Sequence, residues 1–161
     1  ALGDALAVAL LEARGFSADD FARSHPGGAL GRRLLTHVSD AMRKGTDVPS
    51  VHEGATLKEA LLEMTRGRMG MTAVLDQDRR VRGIFTDGDL RRTIDRIGDF
   101  SAAKVADVMS ANPRVVVADD LAVEAVRIME QHKVNQLLVV DGAGALIGAL
   151  NMHDLFRAKV L

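Results

Sequence analysis

Apolar positions along the chain switch between helical and strand spacing in one order, and that order occurs twice. Thr56-x-x-Glu59 reads as a capping box ahead of Leu57, Leu61, Leu62 and Met64, which share one side of a helix. Two apolar runs follow, Met71 to Leu75 and Val81 to Phe85, across the turn residues Asp76-Gln77-Asp78, and predict paired strands. A closing helix is expected from near Asp87. Further along, Asp119 or Asp120 is expected to cap a helix bearing Leu121, Ala125, Ile128 and Met129. Strands are then predicted at Gln136 to Val140 and Ala145 to Ala149, joined by Asp141-Gly142-Ala143-Gly144, with a closing helix near Asn151. A brief strand precedes each main helix, at Pro49-Ser50-Val51 and at Arg114 to Val117, and a short helix carrying Asp-x-Met stands before it. The element order is β-α-β-β-α, twice.

The same residues recur at fixed spacing. Val38-Ser39-Asp40-Ala41-Met42 matches Val105-Ala106-Asp107-Val108-Met109 at an offset of 67. The offset then settles at 65, pairing Glu59-Ala60 with Glu124-Ala125, Met64 with Met129, Val74 with Val139, Asp76 with Asp141, Gly83 with Gly148 and Asp89-Leu90 with Asp154-Leu155. Each half is too small to bury both faces of its sheet alone. The expected fold is therefore α/β (α+β), with two halves packed sheet to sheet as one pseudo-symmetric unit.

Ahead of the repeat, Leu2, Leu6, Val8, Leu10 and Leu11 have helical spacing with Gly15 placed to stop the helix, but no cap precedes Leu2. Residue 1 is Ala, and the expectation is a chain cut from a longer one. A short helix carrying Phe21 is expected from Ser17, broken at Ser24-His25-Pro26-Gly27-Gly28, followed by an amphipathic stretch from Ala29 to Leu35.

Composition narrows the function classes. Among 161 residues, 21 Lys+Arg against 22 Asp+Glu give a net charge of -1, without the basic footprint of a general nucleic-acid binder. With no Cys, thiol nucleophiles, disulfides and thiolate metal sites are excluded. The five His (His25, His37, His52, His132 and His153) show no metal-ligand spacing, so no metal is expected. The longest apolar run, Ala5 to Leu11, is far short of a membrane span, and nothing reads as a signal peptide, so a cytoplasmic location is expected.

Candidate chemistry lies where a strand ends and a helix begins. At Thr86 and Asp89, unpaired N–H groups and the helix dipole offer a seat for phosphate, the hydroxyl adds a donor, and the carboxylate can accept two ribose hydroxyls. The plainer reading is that Thr86 or Asp87 caps the helix and Asp89 favours its first turn. Asn151 and Asp154 repeat the arrangement without the hydroxyl, although Asn caps well. Among Arg66, Arg68, Arg79, Arg80, Arg82, Arg91, Arg92 and Arg96, interspersed with carboxylates, Arg91 and Arg92 are the candidates for a ligand phosphate because they adjoin Asp89. Met64, Met69, Met71, Met129 and Met152 are expected in the core. By itself His25, before a proline, reads as a turn residue.

Gly83-Ile84-Phe85-Thr86-Asp87-Gly88-Asp89-Leu90 and Gly148-Ala149-Leu150-Asn151-Met152-His153-Asp154-Leu155 resemble the closing motifs of the tandem CBS (cystathionine β-synthase) domain pair, over roughly residues 37 to 161. The first matches the family pattern throughout; the second has Asn151 where the pattern has Thr or Ser. Leu2-Gly3-Asp4-Ala5-Leu6-Ala7 with Ser24-His25-Pro26-Gly27-Gly28-Ala29-Leu30-Gly31-Arg32 is similar to the end of a sugar isomerase (SIS) domain of the D-arabinose-5-phosphate isomerase family, in which a CBS pair follows.

The resemblance implies residues 1–36 as a SIS remnant, 37–98 as the first CBS motif and 99–161 as the second. It implies a parent enzyme that converts ribulose 5-phosphate to arabinose 5-phosphate for the Kdo of lipopolysaccharide, with His25 in its active site and this fragment inert. It also implies a regulatory nucleotide-type ligand, CMP-Kdo by pathway logic or an adenine nucleotide, at Thr86, Asp89, Arg91, Arg92, Asn151 and Asp154. No cofactor is expected beyond that ligand. The expected partners are the SIS domain and further copies in a homodimer or homotetramer, with no nucleic acid and no membrane. The rival expectation is a structural module that only assembles the enzyme.

Overall fold

The computed structural model describes residues 29–161. His25 and the expected helices before Gly28 lie outside them. The elements are α1 (Ala29–Leu35), α2 (Val38–Ala41), a 3-10 turn (Gly45–Asp47), β1 (Ser50–His52), α3 (Leu57–Gly67), β2 (Met71–Leu75), β3 (Val81–Thr86) and α4 (Asp87–Arg96). The second copy supplies α5 (Val105–Val108), β4 (Ser110–Ala111), β5 (Val115–Val117), α6 (Ala122–His132), β6 (Gln136–Val140), β7 (Leu146–Asn151) and α7 (Met152–Arg157). One sheet runs β1-β2-β3-β4 and the other β5-β6-β7, each with a parallel first pair and an antiparallel second.

Both faces of β2 are buried because the two halves cover what neither covers alone. Ala73 and Leu75 face the other sheet, packing with Ile84 against Leu138, Leu146 and Ala149. Val74 points the other way, with Phe85, against Leu57, Ala60 and Met64 of α3. In the second copy Val139 and Leu150 meet Ala122, Ala125 and Met129 of α6 in the same manner. Of the expected core methionines, Met64, Met69, Met71 and Met129 are buried, and Met152 packs at the edge of the second core.

Short segments of each copy are built into the other. Val38 of α2 lies in the core of the second copy, and Val105 of α5 in that of the first. The amide of Val38 donates to the Asp120 carbonyl at 2.8 Å, and that of Val105 to the Ala55 carbonyl at 3.0 Å. Ala122 N–H donates to the Thr36 carbonyl and Leu57 N–H to the Ala103 carbonyl, at 2.8 and 2.9 Å. The two Asp-x-Met elements then end on the partner's last strand: Ser110 pairs with Ile84, and Arg43 with Ala149. The hairpin turns reciprocate as well, Val81 N–H to Gly144 O and Leu146 N–H to Arg79 O.

This exchange explains two departures from expectation. Neither Asp119 nor Asp120 caps α6; its N-cap is Leu121, without a side-chain bond, and the Asp120 carboxylate accepts from Val117 N–H instead. The Thr36 carbonyl takes the first amide of that helix, so the cap on its start comes from a distant part of the chain. The two-residue β4 was not expected, since it exists only by pairing with β3.

Where the segments cross, the strands carry glycine. A Cβ on Gly83 would stand 2.9 Å from the Ser110 carbonyl oxygen, and one on Gly148 2.9 Å from that of Arg43, with Met109 and Met42 sulfurs closer still. Each methionine can yield, but the paired backbone cannot. Gly83→Ala and Gly148→Ala are each expected to cost about 1–3 kcal/mol, read as lower denaturation midpoints in urea.

The first hairpin turn is locked by charge. The Asp76 carboxylate accepts from Arg80 N–H at 3.0 Å and Asp78 N–H at 2.8 Å. The Arg80 amide, with smaller help from the Asp78 amide and the Arg82 and Arg80 charges, holds its pKa below the ordinary value against opposing desolvation. The contribution of this charge is full above the unfolded value of about 3.9 and lost as pH falls through the depressed folded value. Asp76→Asn is expected to lower stability at neutral pH, with the gap to wild type closing below about pH 4, as melts across that range would show.

Candidate functional site

A cleft of about 420 Å³ opens where β3 runs into α4, with a floor shared by both copies. Thr86, Asp87, Gly88, Asp89, Arg91 and Arg92 line it from the first copy. Ser110, Arg114, Lys133, Asn135 and Gln136 line it from the second. Lys133 is the left-handed C-cap of α6 (φ 53°), and Asp87 N–H donates to the carbonyl of Gly70, which has a left-handed φ of 68°.

The two readings of Thr86 and Asp89 share one geometry. Asp89 N–H donates to Thr86 Oγ1 at 3.2 Å, and Thr86 N–H to Asp89 Oδ2 at 2.9 Å, a full capping box. The Thr86 hydroxyl donates to the same Oδ2 at 3.1 Å. Asp89 is 4% exposed, and its Oδ1 accepts from Ser110 Oγ at 2.8 Å and Arg92 Nη2 at 2.6 Å. Arg92 is the exposed member of this set, with 68% of its side chain open to solvent. Swinging it out would free an acceptor facing the cleft. Four cations, Arg91, Arg92, Arg114 and Lys133, face two carboxylates, Asp87 and Asp89, so the cleft suits an anion at a helix N-terminus.

The second copy repeats the box: Asn151 Oδ1 accepts from Asp154 N–H at 2.9 Å, and Asp154 Oδ2 from Asn151 N–H at 3.0 Å. Its surroundings differ. Arg43 Nε donates to both oxygens of Asp154 at 3.1 Å, Arg157 Nη2 donates to Oδ1 at 2.8 Å, and Arg43 Nη1 reaches the Gly67 carbonyl at 3.3 Å. The structure thus brings Thr86, Asp89, Arg91 and Arg92 to one cleft and places Asn151 and Asp154 at its pseudo-symmetric counterpart. Of the other arginines, Arg66 pairs with Glu63 and Arg82 with Glu53.

Sequence reasoning missed Ser110, Arg114, Lys133 and Arg43. Ser110 and Arg43 each directly follow the Asp-x-Met element, so the repeat alignment carried a signal for them. Arg114 and Lys133 carried none. No three His, Asp or Glu converge to hold a metal among the described residues. No helix among them is long and apolar enough to cross a membrane.

Two β-α-β-β-α halves around a shared cleft make a tandem, pseudo-symmetric module, and comparison identifies its kind. The CBS domain model matches residues 38–96 and 105–161, and the chain belongs to that family as a tandem pair. It is 56% identical over 160 residues to arabinose 5-phosphate isomerase KdsD of Pseudomonas aeruginosa, covering 99% of this chain and 49% of that protein. Identity to KdsD of Escherichia coli K12 is 51%, over 99% of this chain and 48% of that protein. The chain spans about half the length of the curated relatives it matches.

Among solved structures it resembles CBSX2 in complex with AMP, at 26% identity and a TM-score of 0.67, over 78% of this chain and 96% of that one. A CBS domain protein of Pyrobaculum aerophilum complexed with AMP shares the fold at 23% identity and a TM-score of 0.67, over 74% of this chain and 89% of that one.

The largely buried ion pair of Asp154 with Arg43 and the more exposed pair of Asp89 with Arg92 separate by experiment. Asp154→Ala strands the largely buried Arg43 and is expected to cost on the order of 3–5 kcal/mol. Arg92→Ala removes a solvent-exposed partner and is expected to cost under about 1 kcal/mol. Chemical denaturation of the two variants checks the contrast.

Proposed function

We propose that this chain is the regulatory CBS pair of an arabinose-5-phosphate isomerase acting in the cytoplasm, and that a nucleotide-type ligand in the Thr86–Asp89 cleft biases a distant catalytic domain. The observation that carries the reading is the cleft itself: a buried carboxylate at a helix N-terminus, ringed by Arg91, Arg92, Arg114 and Lys133. Similarity to KdsD supports the parent activity, interconversion of ribulose 5-phosphate and arabinose 5-phosphate. The AMP bound by CBSX2 supports the ligand class.

On binding, Arg92 leaves Asp89 for the ligand phosphate, and ribose hydroxyls take its place on Oδ1 beside Ser110. The cations and the α4 N-terminus neutralise the phosphate. CMP-Kdo, which a feedback sensor of the Kdo pathway would read, and an adenine nucleotide both have the required phosphate and ribose. Regulation then requires that the ligand bind two states of the whole enzyme with different affinity. His25, in this reading, belongs to the parent active site. A second reading, an assembly module forming a homodimer or homotetramer, is favoured by Ile94 on α4 and Phe156 on α7, 56% and 66% exposed.

The test is a thermal melt with CMP, CMP-Kdo, AMP, ATP and arabinose 5-phosphate, beside a Thr86→Ala/Asp89→Ala double variant. A ligand at 100 times its dissociation constant adds about 2.7 kcal/mol, which for a domain of this size raises Tm by roughly 5–11 °C. A shift with one nucleotide class that the double variant loses is the expected result. No shift with any of them would leave the assembly reading standing.

A further inference from the structure

The pseudo-symmetry supplies an internal comparison, because the residue after each Asp-x-Met element faces the buried carboxylate of the other copy. In one case it is Ser110, in the other Arg43. Both are held by backbone pairing to the last strand of the other copy, Ser110 opposite Ile84 and Arg43 opposite Ala149, so neither is free to move away. The Arg43 amide donates to the Ala149 carbonyl at 2.8 Å, and the Ala149 amide returns a bond at 3.2 Å.

The side chains differ in what they leave. Ser110 spends one short bond on Asp89 and lines an open cleft. Arg43 extends across Asp154, bonds both carboxylate oxygens and reaches on to the Gly67 carbonyl. Only 21% of its side chain is exposed, against 68% for Arg92 and 62% for Arg157. Arg92 can leave Asp89 for solvent at small cost, whereas Arg43 would have to break a desolvated pair and a third hydrogen bond. The entrance differs too, since Gly88 of the first copy corresponds to His153 of the second.

We infer that Arg43 fills the second cleft as a built-in cationic occupant, so that the chain takes one ligand, in the Thr86–Asp89 cleft, and that Ser110 is the residue whose small side chain keeps that cleft open. The ligand half of this inference rests on the nucleotide reading of the first cleft; the closure by Arg43 does not. Asn151 and Asp154, expected from the sequence as ligand contacts, then serve the internal ion pair.

The experiment is calorimetric titration of the full chain and of Ser110→Arg with AMP and with CMP, together with the arginine Nε–H signals in 15N-resolved NMR, assigned by Arg43→Lys. One nucleotide per chain is expected, with affinity at least about tenfold weaker in Ser110→Arg, whose guanidinium would pair with Asp89 as Arg43 does with Asp154. At saturation the Arg43 Nε–H should stay in place and slow to exchange while that of Arg92 moves. Two nucleotides per wild-type chain, displacement of the Arg43 signal on binding, or unchanged affinity in Ser110→Arg would overturn the inference. Binding of none of AMP, ATP, CMP and CMP-Kdo to wild type would sink the nucleotide reading instead. The closure is then decided by Arg43 alone, sustained by a slowly exchanging Nε–H and overturned by one exchanging as fast as the exposed arginines.

Discussion

Everything else in this molecule depends on a reciprocal exchange of short segments. Neither copy of the repeat completes its own core: α2 closes the second with Val38, and α5 closes the first with Val105. Matched backbone bonds then pin each segment at both ends, to the start of the partner's main helix and to its last strand. Because the links are mutual, the sheets are held face to face through Leu75, Ile84, Leu138 and Leu146 without a disulfide. The glycines at 83 and 148 are the local consequence, since backbone approaches backbone at both crossings.

The same exchange positions the chemistry. Each buried carboxylate belongs to one copy and receives a donor from the other, so the cleft and its pseudo-symmetric counterpart junction are both tied to the packing of the halves. A ligand that drew Arg92 off Asp89 would act on a carboxylate that also holds Ser110, and Ser110 lies on the strand that links the copies. Binding energy in the cleft can therefore reach the relative placement of the halves through one hydrogen bond, a physical route for regulation.

Much of this was legible without coordinates. The 65-residue spacing, the alternation of apolar residues, the Thr56 box and the cap expected at Thr86 or Asp87 located the helices and strands, because local periodicity and capping chemistry act over a few residues. Asp89 and Asp154 stood out for the same reason. The missing cap on α6 and the unexpected β4 both involve partners far away along the chain, Thr36 for Ala122 and Ile84 for Ser110, and no local pattern reports them.

What the sequence determined by itself is the repeat, its element order and the residue types at each strand-to-helix junction, since these follow from spacing alone. Tertiary structure decided that the copies trade segments, that Arg114 and Lys133 join Arg91 and Arg92 around one cleft, and that Arg43 meets Asp154 across 111 positions of chain. A single long-range ion pair, formed where the repeat has Arg in one place and Ser in the other, makes two sequence-equivalent junctions different sites. Its cause is desolvation: a carboxylate buried by the fold must take its partner from whatever residue the fold sets beside it.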